Sequence, residues 1–523
     1  LKINHRYIIV NFTIFIHDFL LGVGFAVKML FFAVELIHIL MKQNNTTRAF
    51  ATLVSVFFFW GFVAASNDIL IPVFKDKLHL EQWQSQMISF AFYVAYTLGA
   101  LGYMLVSFVL KRDLLGSLGY GKGISLGLII SAIGSLLFIP AADAASFPML
   151  LGGLIIVGLG FSLQQTAANP LAIALGSRET GSQRLSMAGG VNNFGTTIGP
   201  LLVTAAIYGA MGSGSGAELD VSAVKVPYLV LGALFVLFAA IFYRLDVQVD
   251  ADETVHASDD DGKSVLSYKQ VWMGMIAIFL YVGVEVSTAG NLSEYLKSNL
   301  MVSTQDAAPY ISLFWASLMI GRWASSAGSF NVAAGTKKAL RFLLPLVAFG
   351  VYLLVNSVRY KEGALSLDFG AVEKFYAYVA MVGVLIGVDY MSKGNPARQL
   401  LIYSVCGMVA LMVGIFNGGS LAAMAFVSVG LFCSTLWPCI FTLAIAGLGS
   451  KMSKASNYLI MMIMGGGVVS VLQGKLASES LLGILNSYWV GVACFAYLAY
   501  YAVSMTAHFK KEGIEVGQAS GGH

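Results

Sequence analysis

Apolar and polar residues alternate along this chain in long blocks instead of short periods. Mainly apolar stretches of about twenty residues, enough for a helix to cross roughly 30 Å of hydrocarbon, recur from one end to the other. They fall at 49–73, 85–110, 123–142, 147–175, 185–211, 225–245, 270–296, 308–330, 338–358, 372–392, 398–416, 420–447, 456–474 and 482–507, which predicts fourteen transmembrane helices. Backbone groups in lipid must be satisfied internally, and the residue-by-residue alternation of barrel strands is absent. The fold class is therefore an all-α integral membrane bundle.

One interruption differs from the rest. From 246 to 269 the apolar pattern gives way to Asp250, Asp252, Glu253, Asp259, Asp260 and Asp261, dividing the chain into 48–245, an acidic linker, and 270–507 with a tail at 508–523. The Asp-Asp-Asp-Gly run lacks the spaced ligands and terminal Glu of a calcium loop and reads as a solvated tether. Residues 1–40 fit less well, because the apolar run from 7 to 40 carries His17, Asp18, Lys28, Glu35 and His38. They read as an upstream extension ahead of a start at Met41, with an extra hydrophobic helix as the alternative.

Composition sharpens this picture. With 58% hydrophobic and 11% charged residues, a soluble domain of 523 residues is excluded. Lys and Arg set orientation, and Lys111, Arg112, Lys122, Arg178, Arg184, Lys337, Lys338, Arg341, Lys451, Lys454, Lys510 and Lys511 gather on one side. That side is expected to be cytoplasmic, with both termini inside. The net charge of +4 then reflects topology and implies no nucleic-acid partner. No phosphate-binding Gly-x-x-x-x-Gly-Lys-Ser/Thr loop occurs, which argues against an ATP-driven pump. His79, His256, His508 and His523 fall in predicted loops or the tail, so neither a histidine relay nor a metal site is expected. Cys406, Cys433, Cys439 and Cys494 read as small packing residues without disulfides.

The candidate chemistry lies in polar residues inside apolar blocks. A charge near the bilayer centre costs about 2.5–3.5 kcal/mol even on the gentler insertion scale, so Asp68 and the stretch Gln164–Pro170 are expected to face a cavity or a partner. A local phrase also recurs. Asn169-Pro170 leads into Leu171–Ser177, a basic turn and a helix with Gly189-Gly190; Trp437-Pro438 leads into Leu443–Ser450, a basic turn and a helix with Gly465-Gly466-Gly467. Internal repeats that place a site between two rocking halves are a mark of secondary transporters.

Over residues 48–507 the chain resembles the fucose:proton and glucose/galactose symporter group of the major facilitator superfamily. The resemblance rests on Asn67-Asp68-Ile69-Leu70-Ile71-Pro72, Gln165-Thr166-Ala167-Ala168-Asn169-Pro170, Asn192-Asn193-Phe194-Gly195, Gly283-Val284-Glu285-Val286-Ser287, Gly321-Arg322-Trp323 and Trp437-Pro438-Cys439-Ile440-Phe441. It implies two pseudo-symmetric six-helix bundles in a bacterial inner membrane, working as a monomer that imports a monosaccharide on a cation gradient. It implies no cofactor and no enzymatic reaction. Residues 337–396 stand out as an inserted hairpin of two helices. Gln165 occupies a position where the fucose branch has glutamate, and glutamine there resembles the glucose/galactose branch.

The residues themselves are consistent with a sugar. Amides and carboxylates suit hydroxyls that both donate and accept, and aromatic faces suit the apolar face of a pyranose. The expected binding set is Asn67, Asp68, Gln165, Asn169, Asn192, Tyr93, Trp315 and Trp437. On helical spacing Gln165 and Asn169 share a face, as do Gly61, Ala65 and Asp68, and as do Gly189, Asn192 and Thr196. The competing reading of the amides is interhelical bonding, and of Asn169 a partner for the carbonyl freed by Pro170. The aromatics have packing or interfacial anchoring as their competing reading.

Asp68 is the expected coupling carboxylate and Glu285, sharing a face with Tyr281 and Thr288, the second, with pairing to a basic residue at a helix end as its alternative. Proton and sodium coupling both remain open. Arg322 is expected to belong to a cytoplasmic gate. Asp68→Asn is expected to abolish uphill accumulation while sparing some exchange. The expected activity is cation-coupled import of glucose, galactose or a near relative. A fucose or N-acetylhexosamine:proton symporter and a proton-coupled antiporter exporting hydrophobic compounds are the alternatives.

Overall fold

A computed structural model of the chain describes residues 49–63, 82–144, 146–209, 225–244, 264–302, 304–330, 332–361 and 364–514. The expected extension, the site candidates Asn67 and Asp68 with Ala65, and most of the acidic linker lie outside these residues. In chain order the helices are α1 (Ala49–Val63), α2 (Gln82–Val109), α3 (Tyr120–Asp143), α4 (Phe147–Ala174), α5 (Gly181–Gly209) and α6 (Lys225–Arg244). Then follow α7 (Lys269–Leu300), α8 (Thr304–Ser326), α9 (Ala334–Ser357), α10 (Phe369–Ser392), α11 (Pro396–Asn417), α12 (Gly419–Ile445), α13 (Met452–Leu476) and α14 (Gly483–Glu512). Among the described residues, ten helices are long and apolar enough to cross a membrane.

Small residues set how closely the helices approach. Cβ atoms at Gly127 and Gly134 on α3 would lie 2.8 Å from the carbonyl oxygens of Gly160 and Gly153 on α4, so these two helices touch backbone to backbone. The α1–α5 crossing is tighter still, with Gly61 set against Asn192 O and Gly195 against Phe58 O. In lipid such contacts replace the water-driven association of soluble helices. Arg184, on the first turns of α5 and 3% exposed, closes the end of α4 by donating to Ala172 O at 3.1 Å, Ser177 O at 2.8 Å and Ile173 O. Of these, Ala172 O and Ile173 O are carbonyls that a helix terminus leaves without partners.

The segment after α8 forms a helical hairpin whose ends are joined by β1 (Val358–Lys361) and β2 (Ala364–Leu367), antiparallel with Val358 opposite Leu367. Phe342, Leu343, Val347, Leu354, Val379 and Val384 of the hairpin are exposed, as a lipid-facing surface requires.

Three boundaries differ from the sequence reading. The block 420–447 is broken at Ser434-Thr435, because Pro438 has no N–H to bond the carbonyl four residues earlier. The block 456–474 begins earlier, at Met452, and tightens to a 3-10 turn over Met462–Met464. The last helix runs to Glu512, which places His508 inside it, 3.2 Å from Gln270 Oε1, instead of in the tail.

Candidate functional site

Pro170 and Pro438 occupy corresponding places in the repeated phrase, and each frees the carbonyl four residues before it. A buried bare carbonyl needs a donor. Thr166 O on α4 takes the hydroxyl of Ser456 on α13 at 2.9 Å, and Ser434 O on α12 takes Nε of Arg322 on α8 at 2.8 Å. The partner of the carbonyl freed by Pro170 is thus Ser456, not Asn169. Asn169 is 1% exposed, and its Nδ2 has no hydrogen-bond partner among the described residues.

Arg322 is the centre of the second cluster. Besides Ser434 O, its Nη1 donates to Asn193 Oδ1 at 2.6 Å and Gly189 O at 3.1 Å on α5, and its Nη2 to the Tyr281 hydroxyl at 3.4 Å on α7. Glu285, one turn further on, lies beside Tyr281 and within reach of the charge of Arg322. The phenol oxygen accepts from the guanidinium, which leaves its proton free for the neighbouring carboxylate. Gly189 has no side chain because the guanidinium lies there; a Cβ would sit 2.9 Å from Nη1. Gly189 is eight residues into α5 and Asn193 twelve, about 12 and 18 Å along the helix. Arg322, 9% exposed, therefore reaches well into the bundle.

The amide candidates separate by neighbour. Gln164, fully buried, accepts from Trp60 Nε1 at 2.8 Å and donates to Ser131 at 2.9 Å, tying α1, α3 and α4 together. Gln165, half-buried, donates to the Tyr96 hydroxyl on α2 at 2.9 Å. Asn192 donates to Phe57 O on α1 at 2.9 Å, whereas Asn193 meets Arg322. The face expected to hold Gly189, Asn192 and Thr196 is consequently divided: Gly189 looks at α8, while Asn192 and Thr196 pack backbone against Gly61 of α1.

The aromatics are placed unevenly. Trp437 packs on Tyr281 with ring centroids 6.2 Å apart and on Phe441 at 5.9 Å, which brings it to the Arg322 cluster. Trp315 lies two turns before Arg322 on α8, with its edge against Phe314 at 5.5 Å. Tyr93 lies on α2 one turn before Tyr96 and faces Gly466 of α13. Asn193 and Tyr96 are members of these clusters that sequence reasoning does not single out, and Tyr281 is one it names only as sharing a face with Glu285. The signal for Tyr281 and Asn193 is their spacing from Glu285 and Gly189, four residues in each case.

Further contacts between first-half and second-half helices include side chains bonded to backbone carbonyls. Thr97 donates to Met461 O at 3.3 Å, where α13 tightens, and Asn457 Nδ2 to Ala100 O at 3.1 Å. With Ser453–Tyr120 at 3.3 Å and Ser182–Cys439 at 3.8 Å, they lie toward the bundle end that carries the basic loops.

Residues 53–367 match the family model described as Major Facilitator Superfamily. A glucose/galactose transporter of Brucella abortus (biovar 1, strain 9-941) is 32% identical over 468 residues, covering 88% of this chain and 95% of that protein. An L-fucose-proton symporter of Escherichia coli K12 is 25% identical over 473 residues, covering 87% and 92%. Among solved structures, the transporter FucP in the outward conformation aligns with a TM-score of 0.65 at 24% identity, over 88% of this chain and 99% of that one, a likeness of fold. The helical architecture, the repeated proline phrase and these matches together place the chain in the major facilitator superfamily, to which it belongs.

Proposed function

We propose that the protein imports a monosaccharide of the glucose/galactose type by cation symport, with α1–α6 and α7–α14 rocking about a central site. The observation that carries the coupling is the chain Asn193–Arg322–Tyr281 with Glu285 beside it, which sets an ionisable carboxylate next to a contact between the two halves. Ionised Glu285 draws the Tyr281 proton and leaves the phenol oxygen for Arg322 to donate to. Neutralised Glu285 loosens that bond, and with it the hold of Arg322 on α5. Cation occupancy and the junction of the halves then bias one another, as linkage requires. The substrate class is drawn from the relatives and from Gln165, which offers sugar hydroxyls an amide where a carboxylate would hold charge.

Cytoplasmic placement of the basic loops makes the end where the halves meet the inner one. Asp68, in the family motif with Asn67, is the other coupling carboxylate. Counterflow of labelled glucose, galactose and fucose in proteoliposomes tests the reading. Exchange of glucose or galactose is expected, and its absence with all three sugars would overturn it. Uptake driven separately by imposed proton and sodium gradients identifies the cation, with Glu285→Gln expected to abolish the response to that gradient only.

A further inference from the structure

The hairpin α9–α10 is fastened to α8 at several levels. The Tyr352 hydroxyl donates to Pro309 O at 3.0 Å, Asn356 Nδ2 to Ser312 Oγ at 3.0 Å, and the hydroxyls of Tyr378 and Ser317 are 2.8 Å apart. When α8 moves, the hairpin moves with it.

Near the returning end of α10 stands a carboxylate in an otherwise apolar run. Asp389 is 3% exposed; its Oδ1 accepts from Gln399 Nε2 at 3.0 Å and from the Tyr403 hydroxyl at 3.5 Å, and its Oδ2 lies 3.8 Å from Arg341 Nε. Gln399 carries the connection onward, since its Oε1 accepts from the Cys439 thiol at 3.5 Å, and that sulfur lies 3.8 Å from the Ser182 hydroxyl on α5. A separate contact reaches the same place. The turn after α10, with φ 52° at Lys393 and 71° at Gly394, sits so close to Gln183 that a Cβ on Gly394 would be 2.7 Å from its Nε2. Gly328, in the turn after α8, packs against the same amide. Gln183 of the first half thus fills a slot whose two walls are the end of α8 and the end of the hairpin.

We propose that Asp389 is a positioning residue for the transport cycle, aligning Gln399 and the returning turn so that the hairpin helps hold the two halves together at this end. A buried carboxylate is unstable unless its partners are kept, so Arg341, Gln399 and Tyr403 are held in one arrangement as long as it is ionised and packed. The hairpin is then a third component of the closure. The inference rests on the alternating-access reading and on no particular substrate.

The test needs no transport. Ser456→Cys places a reporter thiol between α13 and α4, reached by a small maleimide only when the halves part at this end. In purified full-length protein, Asp389→Asn is expected to raise the labelling rate of that thiol about tenfold over the parent, Asp389→Glu to return most of the difference, and the elution profile to stay unchanged. Gly394→Ala, which leaves the carboxylate in place and drives a methyl group into Gln183, is expected to raise labelling likewise. An unchanged rate in folded Asp389→Asn overturns the proposal. Should that variant fail to fold, an unchanged rate in Gly394→Ala overturns it instead. Failure of sugar counterflow with raised labelling would discard the substrate and leave this inference standing.

Discussion

Gln164 and Gln165 on α4 spend their hydrogen bonds inside the first half of the chain, on Trp60, Ser131 and Tyr96. The junction of α5, α7 and α8 does the opposite, with Arg322 joining Asn193 and Gly189 of the first half to Tyr281 of the second. Both are polar clusters among apolar helices, and residue type alone would treat them alike. What separates them is whether a bond stays within one moving body or spans two. Bonds within a body stabilise it and persist through the cycle; bonds across bodies must break and reform, so they govern populations.

Variants can break this comparison or sharpen it. The largest effect is expected at Arg322→Gln, which leaves Ser434 O without its cationic donor and cuts the tie to α5. Uphill and exchange transport should fall at least a hundredfold in proteoliposomes, and activity within tenfold of the parent would show that the junction is not central. Glu285→Gln should reduce uphill accumulation about tenfold or more while counterflow stays within about threefold, because the amide keeps a polar group beside Tyr281 and loses the charge. Gln164→Ala should cost about 1–2 kcal/mol of stability, seen as a lower midpoint in thermal unfolding, with KM unchanged in the surviving protein. Asn169→Ala should move stability least, under about 0.5 kcal/mol, since its Nδ2 has no partner among the described residues to lose, yet raise KM for sugar. If Gln164→Ala alters KM and Asn169→Ala alters only stability, the assignment of pinning and binding roles is inverted.

Helix positions are legible in the sequence because apolar length is dictated by bilayer thickness, and the need created by Pro170 is legible because a proline lacks an N–H. Which side chain answers that need is not. Successive residues on a helix point about 100° apart, so Asn192 and Asn193 must face different neighbours. The sequence does not say that one neighbour is α1 and the other Arg322. Asp389 illustrates the same limit. It stands in the block 372–392, where the rule that singles out Asp68 applies equally, but its partners come from α9 and α11 and no spacing announces them.

The carbonyl of Thr166 has a wetting consequence. While the halves are together it is served by Ser456 from the other body. When they part, Pro170 still has no N–H to offer, and leaving the oxygen bare in a dry crevice would cost about 1–3 kcal/mol. Solvent must therefore enter in step with the separation, so the inner vestibule opens already hydrated, and osmotic agents excluded from it should slow the opening half of the cycle more than the closing half.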